Sequence, residues 1–374
     1  MAYLSDYLGG GVGLSTTPLG AVVSNIFGEG LNFKRTKTAV ARSAFPALST
    51  AFPLPSFVAY ESVAQTLPVS QEWGPVCYGN GLFVALAISG TYYATSVDGI
   101  NWVQQTAPSS TGFTAVTYGT NGFVAISGSQ SWLSTDGINW SAPSTLPGGG
   151  SYGAIVYGNS TYVAIMVSPT AGTQAATSPD GVTWTSQILP SGAWTGIAFG
   201  NGIFVAVTGK YATSSNIAAY STNGSTWTSA TLPVSATGRA IAFGNGKFVC
   251  IDAALNSYYS TNGATWTTGA NYPFTGSGNQ CVLTFGNGVF MGSCCQSATA
   301  NTAATTSLDG INWTQVALPS STTWGNICFG NGLFCMTSMV SGGATIAATA
   351  WVNPSSNSAY VYLAGTAGQL VRVL

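Results

Sequence analysis

The chain has 374 residues, of which 5% are charged, with eight Lys and Arg against nine Asp and Glu, a formal net charge of −1 and no histidine. Soluble domains carry roughly 25% charged residues, so this surface relies on uncharged polar groups and lacks the clustered cations that nucleic acid requires. Without histidine and with few carboxylates, no metal and no cofactor is expected.

Residues 1–56 read as a separate segment. They open on Tyr3-Leu4-Ser5-Asp6-Tyr7-Leu8 and a glycine run from Gly9 to Gly13, and they lack the basic start and apolar core of a signal peptide. Lys34, Arg35, Lys37 and Arg42 hold four of the eight basic residues. So few apolar residues cannot build a core of their own. The segment is expected to be an anchoring arm that docks on another protein, its basic cluster meeting an acidic neighbour. A leader without fixed structure is the alternative.

From about residue 57 one tetrapeptide recurs. Tyr78-Gly79-Asn80-Gly81 returns as Phe199-Gly200-Asn201-Gly202, Phe243-Gly244-Asn245-Gly246, Phe285-Gly286-Asn287-Gly288 and Phe329-Gly330-Asn331-Gly332. Looser copies stand at Tyr118-Gly119-Thr120-Asn121-Gly122, with Thr120 read as an extra residue, and at Tyr157-Gly158-Asn159-Ser160. The asparagines are spaced by 38 to 44 residues, the period of propeller blades. Asn-Gly between apolar runs predicts a tight hairpin. A second turn follows in six repeats, at Asp98-Gly99, Asp136-Gly137, Asp180-Gly181, Asn223-Gly224, Asn262-Gly263 and Asp309-Gly310. Each is followed by a tryptophan four residues after the Asp or Asn, namely Trp102, Trp140, Trp184, Trp227, Trp266 and Trp313. Two hairpins per unit and a Pro-marked crossover give four strands, which must stack on their neighbours to bury both faces.

The predicted fold is therefore all-β, a seven-bladed β-propeller over residues 57–374 behind a non-repetitive N-terminal arm. The seventh repeat has no Asp-Gly-x-x-Trp turn. Either 57–68 or 350–374 must complete it, and the N-terminal segment is favoured as its outer strand. No run of 18 apolar residues occurs, so no membrane insertion is expected.

Chemistry finds little purchase. The Asp-Gly acids are committed to equivalent turns in separate blades, leaving Glu61, Glu72 and Asp252 without a facing partner for glycoside hydrolysis. The cysteines, including Cys77, Cys250, Cys281 and Cys328, sit in apolar runs and are expected to be free buried thiols. The chain is accordingly expected not to be an enzyme. One repeated position suggests binding instead. Seven residues before the Asn lie Trp73, Tyr152, Trp194 and Trp324, and Phe113 joins them once Thr120 is allowed for, while Gly238 and Gln280 break the set. Placed at the mouth of the central channel, these aromatics would stack on sugars or dock an apolar partner. Packing between blades is the competing account.

The turn Ser134-Thr135-Asp136-Gly137-Ile138-Asn139-Trp140 resembles the Asp-box of sialidase propellers, one residue short between Asp and Gly. The arginines a sialidase needs are missing, since the repeats hold only Arg239 and Arg372. As a whole, Phe-Gly-Asn-Gly-x-Phe-Val-Ala with Ser-Thr-Asp-Gly-x-x-Trp resembles repeats of bacterial surface proteins and of bacteriophage tail and fibre proteins. The leader looks like the virion-attachment end of phage fibre-type proteins. These resemblances imply a phage virion component, made in the host cytoplasm, which meets other virion proteins through residues 1–56 and host-surface glycans through its propeller. A bacterial surface or secreted binding propeller and a glycan-active hydrolase are the alternatives.

Overall fold

The computed structural model describes residues 59–373 apart from 168–171, 210–214, 237, 253, 274–279, 296–300, 340–343, 354–360 and 366–368. Lys34, Arg35, Lys37 and Arg42 lie outside the described residues. Contacts divide the chain into Tyr60–Val352 and a second unit of Met1–Ala59 with Asn353–Leu374. Within the second unit, Val361–Gly365 and Gln369–Val373 form an antiparallel hairpin.

Tyr60–Val352 is a seven-bladed propeller of four-stranded antiparallel sheets. Blade 1 runs from the axis outward as Trp73–Gly79, Leu82–Ala87, Tyr92–Ser96 and Val103–Thr106. The inner strands of blades 2 to 7 are Ala115–Gly119, Tyr152–Gly158, Trp194–Gly200, Gly238–Gly244, Gln280–Gly286 and Trp324–Gly330. Each touches the next, and the last touches the first. In blade 7 the outer strand is Ala59–Gln71, paired with Ala344–Asn353, so the ring is closed by a strand from ahead of the first blade.

The tetrapeptide has a separate task for each residue. Asn80 and Gly81 take φ of 47° and 78°, the left-handed pair that a type I′ turn needs, and Asn201-Gly202, Asn245-Gly246, Asn287-Gly288 and Asn331-Gly332 match them. Blade 3 places Ser160 at φ 57° where five other blades have glycine. Blade 2 differs from expectation. Gly119 pairs with Gly122 across two residues as Gly79 pairs with Leu82, so Thr120 is no insertion but stands at the Asn80 position.

The turn asparagine also ties blades together. Asn245 Nδ2 donates to the carbonyls of Gly288 (3.1 Å) and Leu308 (2.7 Å) in the next blade. Asn159 reaches Gly202 and Thr222 in the same way, and Asn331 reaches Val97 at 3.3 Å, across the closure. The aromatic–glycine pair makes a second circle. A Cβ on Gly79 would strike the Tyr118 ring, and Gly119, Gly158, Gly200, Gly244, Gly286 and Gly330 are likewise covered by Tyr157, Phe199, Phe243, Phe285, Phe329 and Tyr78. Each ring also meets the aromatic opposite it on the second strand, as in Tyr78–Phe83 with centroids 4.6 Å apart. Such pairs contribute about 0.5–1.5 kcal/mol each beyond area.

The outer hairpins are fixed by polar side chains. Asp98 Oδ1 accepts the N–H groups of Ile100 and Asn101 (2.9 and 2.8 Å), and Ser96 Oγ accepts that of Gly99. Asp136, Asp180 and Asp309 repeat the arrangement, with Asn223 and Asn262 in blades 4 and 5. Half-buried Trp102 and Trp227 donate their indole N–H back to the turn glycine. The Asp-Gly-x-x-Trp motif is therefore a fastened turn.

Candidate functional site

The inner strands enclose an axial cavity of about 230 Å³ near the ends at which they begin. Four positions before each inner turn stands an aliphatic side chain: Val76, Val116, Ile155, Ile197, Ile241, Leu283 and Ile327, all in its wall. They form an unbroken girdle, one residue from each blade. Around it lie small or polar positions, Pro75, Thr114, Ala115, Ala154 and Asn326 among them. Among the described residues no charged side chain lines the cavity. Thr114 Oγ1 is held between the carbonyls of Ile126 (3.1 Å) and Tyr152 (2.8 Å), and Asn326 Oδ1 accepts the Ile327 N–H at 2.9 Å. Each inner strand is the axial edge of its sheet, so unladdered backbone groups also face the axis. This combination suits an uncharged ligand with an apolar body and groups that bond to main chain.

The aromatics predicted to ring the mouth are elsewhere. Trp73, Tyr152, Trp194 and Trp324 are fully buried and Phe113 is 2% exposed, so the expected stacking platform is corrected to core. The reason is a break in register. Trp194 pairs with Thr208 and Gly196 with Val207, two steps on one strand against one on the other, and blades 1, 3 and 7 shift at the same place. A bulge re-aims the preceding side chain, and here the ring sits between blades. Its polar tip pins the Leu-Pro crossover: Trp73 Nε1 donates to Val69 O (3.2 Å), Trp194 Nε1 to Pro190 O (3.1 Å) and Tyr152 Oη to Pro147 O (2.9 Å). Phe113, with no polar tip, packs edge-on against Trp132.

The girdle was missed by the sequence reading, although its signal was visible as an aliphatic residue at one fixed position in every repeat. Periodic aliphatic residues in a strand read as core by default.

Asp252, wholly buried, accepts from Tyr258 Oη (2.7 Å), the Asn256 N–H (2.8 Å) and Asn256 Nδ2 (2.9 Å). Burial, then this carboxylate, raises the Tyr258 hydroxyl well above its usual range. Burial pushes the Cys77 thiol up to about 12, and Cys250 and Cys328 rise with it. Cys77, Cys250, Cys328 and Cys335 are free, as expected, but Cys281 is not: it forms a disulfide with Cys294. Among the described residues no group of three or more His, Cys, Asp and Glu could hold a metal ion.

No protein-family model matches the chain, and no curated protein matches it in sequence. Solved structures do resemble it. Virginiamycin B lyase from Staphylococcus aureus superposes with a TM-score of 0.66 at 9% identity, covering 78% of this chain and 99% of the lyase. The WD40 β-propeller domain of Doa1 gives 0.60 at 13% identity, covering 79% and 97%. YCF48 from Cyanidioschyzon merolae gives 0.57 at 13%, covering 80% and 100%. At such identities the likeness establishes the fold alone. It also corrects the expectation that the chain is not an enzyme, because this propeller architecture carries a lyase. The fold gives only weak support to either reading.

Proposed function

We propose that the chain is a binding propeller of a bacteriophage virion, anchored through residues 1–56 and presenting its axial cavity to an uncharged ligand with an apolar body on the host surface. The observation that carries the binding reading is the cavity itself, contributed to by all seven blades and lined, among the described residues, without a charged side chain. The virion reading is supported by the likeness of the repeat and leader to phage fibre-type proteins. The low charge agrees with a subunit that works inside an assembly.

The Cys281–Cys294 disulfide favours a second reading, a secreted or surface-displayed bacterial propeller, since disulfides persist in oxidising compartments. Labelled electron microscopy of purified virions separates the two: the propeller is expected on the particle, and its absence there sinks the virion reading. For the ligand, Asn326→Trp places a large ring at the cavity wall on a half-buried position. Attachment of the purified protein to host cells is expected to fall while the thermal midpoint is retained. Unchanged attachment would remove the cavity as the ligand site.

A further inference from the structure

Blades 5 and 6 lack the aromatic that starts the inner strand of the others, with Gly238 and Gln280 in its place. Each is fastened by another device. In blade 5 the residue opposite Gly238 is Asp252, the buried carboxylate held by Tyr258 and Asn256. In blade 6 the fastening is covalent. Cys281, next to Gln280, pairs directly with Cys294 on the second strand, and the two are joined with Cα atoms 4.1 Å apart. Counted from the hairpin turn, this is a non-hydrogen-bonded pair, where facing side chains approach most closely. The two ends of the bond differ in surroundings. Both cysteines pack in one apolar cluster with Ile251, Tyr272 and Phe290, but Cys281, 9% exposed, also lines the axial cavity, whereas Cys294, 5% exposed, lies on the strand behind it.

We propose that Cys281–Cys294 is a thiol–disulfide exchange site addressed from the axial cavity by small-molecule thiols and disulfides, and that its redox state sets the rigidity of blade 6. In the reducing direction, a thiolate RS⁻ attacks Cys281 Sγ. An RS–S bond forms, the protein S–S bond breaks, and its electron pair leaves on Cys294 Sγ, which takes a proton from solvent. A second thiolate attacks the mixed disulfide, releasing RSSR and the Cys281 thiolate, which is protonated in turn. The protein disulfide is reduced and two small thiols are oxidised. Incubation with RSSR runs the same steps backward and closes the bond. Attack falls on Cys281 because it lines the axial cavity and Cys294, on the strand behind it, does not. The inference holds whether or not the chain is a virion protein, so failure of either leaves the other standing.

The test treats the folded full chain with 2-mercaptoethanol, followed by acid quench and peptide mass spectrometry. Reduction at Cys281 and Cys294 is expected about tenfold or more ahead of labelling at the buried free thiols Cys250 and Cys335, with any trapped adduct on Cys281. A protein dithiol too large for the cavity is expected to reduce the bond about tenfold more slowly. Reduction should lower the thermal midpoint by several degrees, as expected for opening a short cross-linked loop, and raise amide exchange in Gln280–Cys295. The Cys281→Ala, Cys294→Ala double variant should start at the reduced midpoint and ignore thiol. If it does not fold, Cys294→Ala alone suffices, since its Cys281 should form a mixed disulfide with 2-hydroxyethyl disulfide before the buried free thiols react. Equal rates for the small and the large reductant, adducts on Cys294, or an unchanged midpoint would each overturn the proposal.

Discussion

Asn245 holds two jobs in one side chain: a left-handed backbone at φ 46° and two hydrogen bonds into the next blade. They can be separated. Glycine keeps the backbone and loses the bonds, so Asn245→Gly is expected to lower stability by about 1 kcal/mol. Alanine loses both, adding a left-handed penalty of about 1 kcal/mol, so Asn245→Ala should cost about 2 kcal/mol. Equal midpoints for the two variants would show that one of the jobs is idle. Trp194 tests the corrected assignment at the same scale. A fully buried tryptophan pinning Pro190 should cost about 3–5 kcal/mol when truncated, so Trp194→Ala should unfold early in denaturant, a loss a surface binding residue would not show. The sequence displays Trp194 at the start of a strand but not the bulge behind it, and it is the bulge that turns the ring from the channel into the blade. That step is set by three-dimensional register and leaves no mark in residue spacing.

The Asp-Gly hairpin is the element in which charge matters most. Burial works against the Asp98 and Asp180 carboxylates. The N–H groups of Asn101 and Ile100, and of Thr183 and Val182, outweigh it and hold each down to about 2. The Asn139 N–H, then its side-chain amide, hold Asp136 lower still, and Asp309 is lowered in the same manner despite partial burial. A folded value below the unfolded value of about 3.9 means stability that is fully present above about pH 4. It is lost as the pH falls towards about 2 and the folded carboxyls take up protons. Asn223 and Asn262 accept the same turn N–H groups without titrating. Replacing Asp98, Asp136, Asp180 and Asp309 together by Asn should therefore flatten the midpoint-against-pH curve between about pH 4 and 2. A curve that stays parallel to that of the native chain would place acid sensitivity elsewhere. At this scale the sequence was almost fully legible: Asn-Gly and Asp-Gly turns need particular φ values that few residues supply, so chemistry and position coincide. It misled at Thr120, where an asparagine one step late looked like an insertion although the loop length was unchanged.

At the scale of the whole molecule, the ring depends on one strand that arrives out of order. Ala59–Gln71 pairs with Ala344–Asn353 and covers the outer edge of blade 7. Leu67 is 1% exposed and packs with Trp73, Cys335 and Ala347, so this strand joins the last blade to the first. Gln65 Nε2 donates to Thr349 Oγ1 at 2.9 Å, and Val69 O receives the Trp73 indole. The sequence showed Leu67-Pro68 as the end of such a strand but had Ser62 where the tryptophan stands in other blades. Two deletions follow from this. Removing residues 1–58 leaves every one of these contacts and should give a chain that unfolds in one cooperative transition at the native midpoint. Removing residues 1–71 strips the outer strand, exposing the edge of Ala344–Asn353 together with buried Ala347, Ala348 and Ala350. An uncovered apolar edge pairs with other chains, and a ring whose blades are stabilised by their neighbours loses both contacts at the breach. The longer deletion should therefore aggregate or unfold over a broad, probe-dependent range. Calorimetry and size-exclusion chromatography of both truncations provide the check. If the longer deletion unfolds as sharply as the shorter one, closure by this strand is not what holds the propeller together, and the Asn331–Val97 bond and the Tyr78–Gly330 contact would have to do so across the same seam.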